Sequence, residues 1–144
     1  MVDAIPKDYP RISPYLMVED PAECLKFIET LFDAKRLETI EGPGGTIMHA
    51  ETRIGDSVIM MGATREGVPA FPAMLYIYVE DVDAMYQKAI DLGATGVNEP
   101  ATQFYGDRSC ALSDKFGNHW CLATRIEELT SAELKKRVDE MMGG

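Results

Sequence analysis

The sequence predicts an α+β fold in which two βαβββ modules, at about residues 11–64 and 73–126, form a curved sheet. A C-terminal helix is predicted at about 130–142. The first reason is a repeat. The tripeptide Val-Glu-Asp occurs at 18–20 and again at 79–81, each time between an apolar run and a helical pattern. Internal self-similarity of this kind indicates a repeated structural unit.

A second repeat lies later in each module and sets the length of the module. The segments IGDSVIMMGAT and FGNHWCLATRI close the two modules, and the interval from Val18 to Gly55 nearly equals that from Val79 to Gly117. Each interval leaves room for two more strands after the helix. These are roughly LETIEG and IMHAETRIG in the first module, and GVNEPA and DRSCALSD in the second.

The helices are predicted from capping residues and apolar periodicity. Asp20 and Asp81 stand where N-caps are expected, and Pro21 follows at the first helical position. Apolar side chains such as Cys24 and Ile28 then recur on one helical face. The tail TSAELKKRVDEMM begins with a threonine cap and keeps a helical period, which predicts the C-terminal helix.

Length, charge and cysteine content narrow the class of protein. The chain of 144 residues suits one domain, residues 1–144. A net charge of −10 argues against a nucleic-acid partner, because neutralising phosphates requires clustered basic residues. No apolar run approaches the roughly 20 residues of a membrane span, and the N-terminus lacks a signal-peptide pattern. Three cysteines cannot all pair within the chain, so we expect reduced thiols and a cytoplasmic location.

Two segments resemble a known family. HAETRIGDSVIMM (49–61) and YGDRSCALSDKFGNHWCLAT (105–124) are similar to recurrent motifs of the PhnB-like subgroup of the vicinal oxygen chelate superfamily, which has the glyoxalase/bleomycin-resistance fold. The resemblance implies this fold and a homodimer. It leaves the function open, because the superfamily contains isomerases, dioxygenases, transferases and drug-binding proteins on one fold.

The resemblance also implies four positions for the ligands of a divalent metal, where the family has His, Gln or Glu. Carried onto this sequence, the first-strand positions are Ser13 and Met74, and the fourth-strand positions are Cys121 and either Ile59 or Met60. Only Cys121 is a usual ligand for such a metal. We therefore expect neither the usual metal nor another cofactor.

A metal site of a different kind is the alternative. His49, Glu51, His119 and Cys121 are chemically able ligands, although nothing in their spacing brings them together. A divalent metal held by His49, Glu51 and His119 would make the protein a lyase, an isomerase or a dioxygenase. Metal content of the purified protein separates this alternative from simple binding.

Strand alternation sorts the remaining residues into a helix-side face and a pocket-side face. The helix side is wholly apolar and includes Ile12, Leu16, Val18, Leu75, Ile77, Val79, Trp120 and Leu122. The pocket side is rich in tyrosine and methionine, which suits a small, partly aromatic molecule. Its candidate ligand-binding residues are Tyr15, Met17, Met60, Met74, Tyr76, Tyr78, His119 and Cys121. The same residues could instead fill a dimer or module seam.

The third strand and its counterpart supply the remaining candidates. His49 is the candidate acid–base group, because the reference pKa of histidine lies near neutrality. Glu51 and Arg53 are interpreted as a solvated strand face. Arg108 either forms an ion pair with the opposite module, as Asp107 could, or binds an anionic group of the ligand. Cys110 is a further residue that could reach the pocket, whereas Cys24 is expected to be buried.

Overall fold

The computed structural model describes residues 1–143 and shows two four-stranded mixed sheets, one per βαβββ module. The first module contains β1 (Tyr15–Val18), α1 (Pro21–Phe32), β2 (Lys35–Glu41), a short 3-10 turn (Pro43–Gly45), β3 (Ile47–Ile54) and β4 (Ser57–Ala63). The second contains β5 (Met74–Tyr78), α2 (Val82–Asp91), β6 (Thr95–Thr102), β7 (Asp107–Ser113) and β8 (His119–Arg125), followed by α3 (Ser131–Met142). The predicted α+β fold with its C-terminal helix is confirmed.

The two sheets have equivalent topologies. Their strand orders are β1-β4-β3-β2 and β5-β8-β7-β6, and the β1–β4 and β5–β8 pairs are parallel while the other pairs are antiparallel. The chain divides into a first unit, residues 1–73, and a second unit from residue 74 onward. That both units behave as one domain in solution remains a prediction.

Each helix begins where the capping residues predict. The carboxylates of Asp20 and Asp81 accept hydrogen bonds from the backbone N–H of Glu23 (3.2 Å) and Ala84 (3.1 Å), respectively. At α3 the hydroxyl of Thr130 accepts from a backbone N–H in the first turn at 3.1 Å. These bonds satisfy donors that an uncapped helix leaves without a partner. Within residues 1–143, no helix has both the length and the apolar composition needed to cross a membrane.

The core of each unit lies between its helix and its sheet. Leu16, Val18, Trp120 and Leu122 are at most 1% exposed, as alternation predicts for the helix side. Cys24 on α1 is also fully buried. The prediction for Ile12 is wrong, because it is 85% exposed. It precedes the start of β1, so strand alternation does not extend to it.

Candidate functional site

In the first unit, the sheet face opposite α1 collects the predicted first-module candidates. The registers place Tyr15 and Glu51 beside Met60, and Met17 and His49 beside Gly62. We call the face opposite the helix the tyrosine face of each unit. The register also resolves the choice between Ile59 and Met60. Tyr15 pairs with Met60 as Tyr76 pairs with Cys121, so Met60 is the residue equivalent to Cys121.

Glu51 is buried in this face. We expected it to be solvated, but it is only 8% exposed. We also expected no feature of the spacing to bring it to His49, but its Oε2 lies 2.8 Å from His49 Nε2. The Tyr9 hydroxyl donates a hydrogen bond to the other carboxylate oxygen. Residues two apart on a strand share a face, but burial comes from the N-terminal segment, which a strand period does not encode. Arg53 helps to hold this segment, since its guanidinium donates to the Asp8 carbonyl at 2.6 Å.

The contacts of Glu51 determine its charge state. Burial favours the neutral carboxyl, but the hydrogen bonds from Tyr9 and His49 outweigh it and lower the pKa of Glu51. The same hydrogen bond, with burial, raises the pKa of Tyr9. Glu51 is therefore an ionised acceptor at neutral pH, and Tyr9 is a protonated donor.

His49 has a second partner on β1. Its Nδ1 lies 2.8 Å from the Tyr15 hydroxyl, and the two ring centroids are 5.5 Å apart. The Tyr15 ring fits there because Gly62 lacks a side chain. A Cβ at position 62 would come within 2.9 Å of the Tyr15 hydroxyl oxygen. The first unit thus joins its predicted acid–base residue to one of its predicted ligand-binding residues.

In the second unit, Asp107 organises the tyrosine face. It is 6% exposed, and its Oδ2 accepts hydrogen bonds from the hydroxyls of Tyr76 (2.6 Å) and Tyr78 (3.2 Å). Burial and the hydrogen bond to Asp107 raise the pKa of Tyr76 well above its ordinary value. Burial and the charge of Asp107 also raise the pKa of Tyr78. The sequence offered no sign of this role, because a lone acidic residue at the start of a strand resembles a solvated turn.

A pocket of about 580 Å³ adjoins this tyrosine cluster. It is lined by Tyr78, Tyr105, Asp107, Arg125, Glu127, Leu129 and Leu134. Of these, only Tyr78 was a sequence candidate; Met74, Tyr76, His119 and Cys121 share the face by register but do not line the pocket. The sequence did not predict Glu127, Leu129 and Leu134, because they lie after β8 and in the first turn of α3, and the packing of this part of the chain is a tertiary contact. Continuing the alternation of β8 by one step from Ala123 would have found Arg125.

Arg108 and Cys110 lie on the other face of β7. The Arg108 guanidinium donates to both carboxylate oxygens of Asp83 on α2 of the same unit, at 2.8 and 2.9 Å. The predicted ion pair between modules is therefore wrong for Arg108, and Asp107 instead accepts from two tyrosines. Cys110 pairs in register with the core residue Leu122 and is 4% exposed, so it does not reach the pocket. Burial raises its pKa to about 11.

Comparison with known proteins places this architecture in a family. The model of the glyoxalase/bleomycin resistance protein/dioxygenase superfamily matches residues 11–122. The chain belongs to this superfamily. Solved structures with a similar fold include TioX from Micromonospora sp. ML1, which is 22% identical with a TM-score of 0.69 over 81% of this chain and 99% of TioX. The PhnB protein from Bacillus cereus is 19% identical with a TM-score of 0.63, over 80% and 99% of the two chains.

Proteins related in sequence match nearly the whole chain. An uncharacterized protein of Mycobacterium bovis is 32% identical, over 94% of this chain and 96% of its own length. An uncharacterized protein of Mycobacterium tuberculosis is equally identical, over 94% of this chain and 86% of its own length. The superfamily is thus established, and the chemistry has to be argued from the residues of this chain.

The side chains at the superfamily's metal positions do not fit a divalent metal. Ser13, Met60 and Met74 are not the imidazole or carboxylate ligands that such a metal prefers. Burial raises the pKa of Cys121, which disfavours its thiolate form. Within residues 1–143, no three His, Cys, Asp or Glu side chains are close enough to share an ion. His49 and Glu51 instead bind each other through hydrogen bonds.

The tyrosine cluster makes the stability of this superfamily member sensitive to alkali. A folded-state pKa above that of the unfolded chain, about 10, adds stability that is complete below pH ~10 and is lost above it. We expect Tyr76 and Tyr78 to ionise at a higher pH in the folded protein than in the unfolded chain. Asp107→Asn, which removes the charge, should let them ionise at lower pH. Ultraviolet titration of tyrosinate against circular dichroism checks this, and coincident titration of all six tyrosines in the folded wild type would contradict it.

Proposed function

We propose that this protein binds a small, partly aromatic organic molecule in the pocket of its second unit. The observation that carries the proposal is the cavity of about 580 Å³ beside Tyr78 and Tyr105. Ligand pockets commonly measure about 300–1,000 Å³ and combine apolar walls with a few polar groups. Tyr78 is 62% exposed, so its ring is available to stack on a ligand. Leu129 and Leu134 add apolar surface.

The charges of the pocket favour a ligand with an acidic group. Glu127 is neutralised by Arg137, whose guanidinium donates to both of its oxygens at 3.0 and 2.8 Å and lowers its pKa. Asp107 accepts from two tyrosine hydroxyls. Arg125 has a weaker partner, the exposed Glu128 at 3.9 Å, and keeps 60% of its side chain exposed. A guanidinium of this kind can bind a carboxylate through two parallel hydrogen bonds. We therefore assign the predicted anion contact to Arg125 instead of Arg108.

Thermal melting with paired probes tests this function. Cinnamate and indole-3-acetate should raise the melting temperature, because a ligand that binds only the folded state stabilises it. Their uncharged amides should do so less. Arg125→Gln should weaken binding by about 10- to 100-fold, corresponding to the loss of a charge-assisted hydrogen bond. Tyr78→Ala should weaken both the acids and the amides.

Arg108→Gln is the matched control, since it removes an arginine of the same unit from the opposite face of the sheet. It should leave the affinity unchanged. Binding that is lost with Arg108→Gln and kept with Arg125→Gln would contradict the assignment, and so would the absence of stabilisation by every aromatic acid tested.

We also propose that the chain is a PhnB-like member of the superfamily and a cytoplasmic homodimer. The motifs at 49–61 and 105–124 support the subgroup, and the three cysteines support a reducing compartment. Sedimentation analysis at micromolar concentration checks the dimer. The pairing of His49 with Glu51 in the first unit disfavours the alternative of a divalent-metal lyase, isomerase or dioxygenase, because that metal would need both side chains as ligands.

A further inference from the structure

Four side chains of the first unit form a continuous hydrogen-bonded series. The Tyr15 hydroxyl lies 2.8 Å from His49 Nδ1, and His49 Nε2 lies 2.8 Å from Glu51 Oε2. The Tyr9 hydroxyl donates to Glu51 Oε1 and closes the series. The binding function proposed for the second unit uses none of these residues.

The Glu51 carboxylate determines which atoms of this series carry protons. An ionised carboxylate can only accept hydrogen bonds, so Glu51 requires a proton on both Tyr9 and His49 Nε2. With Nε2 protonated in the neutral imidazole, Nδ1 carries a lone pair and accepts from the Tyr15 hydroxyl. The order is therefore carboxylate, imidazole and hydroxyl, in which the carboxylate orients the base and the base faces the hydroxyl.

Burial decreases along the series toward Tyr15. The side chains of Glu51 and His49 are 10% and 21% exposed, whereas Tyr15 is 47% exposed. Tyr15 is thus the member available to a molecule on the tyrosine face of this unit. Met17 and Met60 lie on the same face beside it and offer adaptable apolar contact.

We propose that Tyr15, His49 and Glu51 form a proton-transfer site in which the Tyr15 hydroxyl meets the substrate. We call these three side chains the relay. Tyr15 is its catalytic residue, His49 passes the proton on and Glu51 positions His49. As Tyr15 Oη takes a hydrogen from the substrate, it passes its own proton to His49 Nδ1. The resulting imidazolium is stabilised by the Glu51 carboxylate, and the proton returns by the reverse path to another atom of the substrate.

The chemistry of the base indicates the class of substrate. An imidazole is a weak base, so the pair can remove only a hydrogen that is already acidic. A C–H bond next to a carbonyl group meets this condition. The reaction class is therefore enolisation of a small carbonyl compound, in which a C–H bond breaks and an O–H bond of the enol forms.

Charged side chains act on this site at its Tyr9 end. Arg53 and Glu38 act on Tyr9 at the inner end, and Arg53 is bonded to the Asp8 carbonyl. On the neighbouring strands, the residues paired with His49 are Ile40 of β2 and Gly62 of β4. The helix α1 packs on the other side of the sheet. The strand neighbours of His49 on both sides are therefore uncharged.

The first test measures the reactivity of Tyr15 toward benzenesulfonyl fluoride, with mass spectrometry to locate the label. The phenolic oxygen bonds to sulfur, fluoride leaves and the proton passes to His49. Tyr78 is more exposed than Tyr15, at 62% against 47%, but its hydroxyl faces a carboxylate and not an imidazole. We expect Tyr15 to react at least about tenfold faster than Tyr78, and His49→Asn to remove this advantage. Faster labelling of Tyr78, or equal labelling of Tyr15 in His49→Asn, would overturn the relay.

The second test measures deuterium exchange of 2-tetralone in D₂O by proton NMR. In this ketone the acidic C1 hydrogens lie between the aromatic ring and the carbonyl group. The wild type should exchange it above the buffer rate, and Tyr15→Phe should lower the enzymatic rate about 10²-fold or more. Glu51→Gln should lower the rate and shift its pH profile, because the amide does not favour imidazolium. Exchange at the buffer rate by the wild type, or at the wild-type rate by Tyr15→Phe, would overturn the assignment of this reaction class.

Two further variants separate chemistry from folding. Tyr86→Phe removes a hydroxyl from α2 in the second unit and should leave both readouts unchanged. Gly62→Ala keeps Tyr15, His49 and Glu51 but puts a Cβ 2.9 Å from the Tyr15 hydroxyl oxygen. It should lower both labelling and exchange while the circular dichroism spectrum stays that of the wild type. Full retention of both readouts in Gly62→Ala would contradict the positioning described above. Failure of the aromatic acids to bind in the second unit leaves these tests unaffected.

Discussion

Replacing Asp114 with alanine should lower the free energy of unfolding by about 3–5 kcal/mol. Asp114 lies in the turn between β7 and β8, where it is 8% exposed. One oxygen accepts from the backbone N–H groups of Phe116 (2.8 Å) and Asn118 (2.9 Å). The other accepts from Asn118 Nδ2 (3.1 Å) and Trp120 Nε1 (2.9 Å). Alanine would take this acceptor away from donors on side chains that are at most 1% exposed.

The equivalent turn of the first unit supplies the control. Asp56 lies between β3 and β4, is exposed, and accepts one side-chain hydrogen bond, from Ser57 at 3.1 Å. Asp56→Ala should therefore change stability by no more than about 0.5 kcal/mol. Urea unfolding of both variants, followed by circular dichroism, measures the difference. Similar values for the two variants would show that the hydrogen bonds of Asp114 are replaced by water at little cost.

The second large effect is expected from Gly106→Ala. Gly106 has a φ of +97°, a left-handed conformation that costs other residues about 1–2 kcal/mol. A Cβ there would also lie 2.9 Å from the backbone carbonyl oxygen of Glu127. The Gly106 carbonyl accepts hydrogen bonds from the backbone N–H of Ile126 and Glu127, at 2.8 and 3.0 Å. The segment after β8 therefore cannot move aside without breaking these bonds. We expect Gly106→Ala to lower the free energy of unfolding by about 2–4 kcal/mol.

Gly67→Ala separates the conformational cost from the clash. Gly67 has a similar φ of +80°, but a Cβ there meets no atom within 4 Å. Gly67→Ala should lower the free energy of unfolding by only about 1–2 kcal/mol, which is the cost of the left-handed conformation alone. Gly106→Ala should in addition weaken the binding of aromatic acids, because Glu127 and Leu129 of the displaced segment line the pocket. Chemical denaturation measures the stability of the two variants, and the melting assay measures their binding of aromatic acids. Equal losses of stability would show that the Glu127 carbonyl moves away from the new Cβ at little cost.

The two units show how equivalent positions in a repeat can acquire different chemistry. Tyr15 and Tyr76 occupy the same place in the register of their sheets. The first donates to an imidazole on β3, and the second to a carboxylate on β7. A histidine can accept the phenol proton, while a carboxylate holds the phenol in its protonated form. These partners support the proposed proton transfer in the first unit and the proposed ligand binding in the second.

The sequence by itself determined the modules, the caps and the division of each strand into two faces. These follow from interactions over a few residues: Asp20 and Asp81 cap because their side chains reach a backbone N–H three residues on. The burial of Leu16 and Trp120 follows from a period of two. Such signals are local, so a repeat in sequence becomes a repeat in structure.

The tertiary structure alone decided which polar side chains came together. Tyr9 donates to Glu51, and Glu127, Leu129 and Leu134 line the same pocket as Tyr78, because chain segments outside the strands pack there. Asp107 and Arg108 are adjacent in sequence, yet one binds tyrosines on one face and the other binds Asp83 on the opposite face. The side-chain hydrogen bonds of Glu51, Asp107 and Arg108 join residues up to 42 positions apart, and no local pattern specifies those contacts.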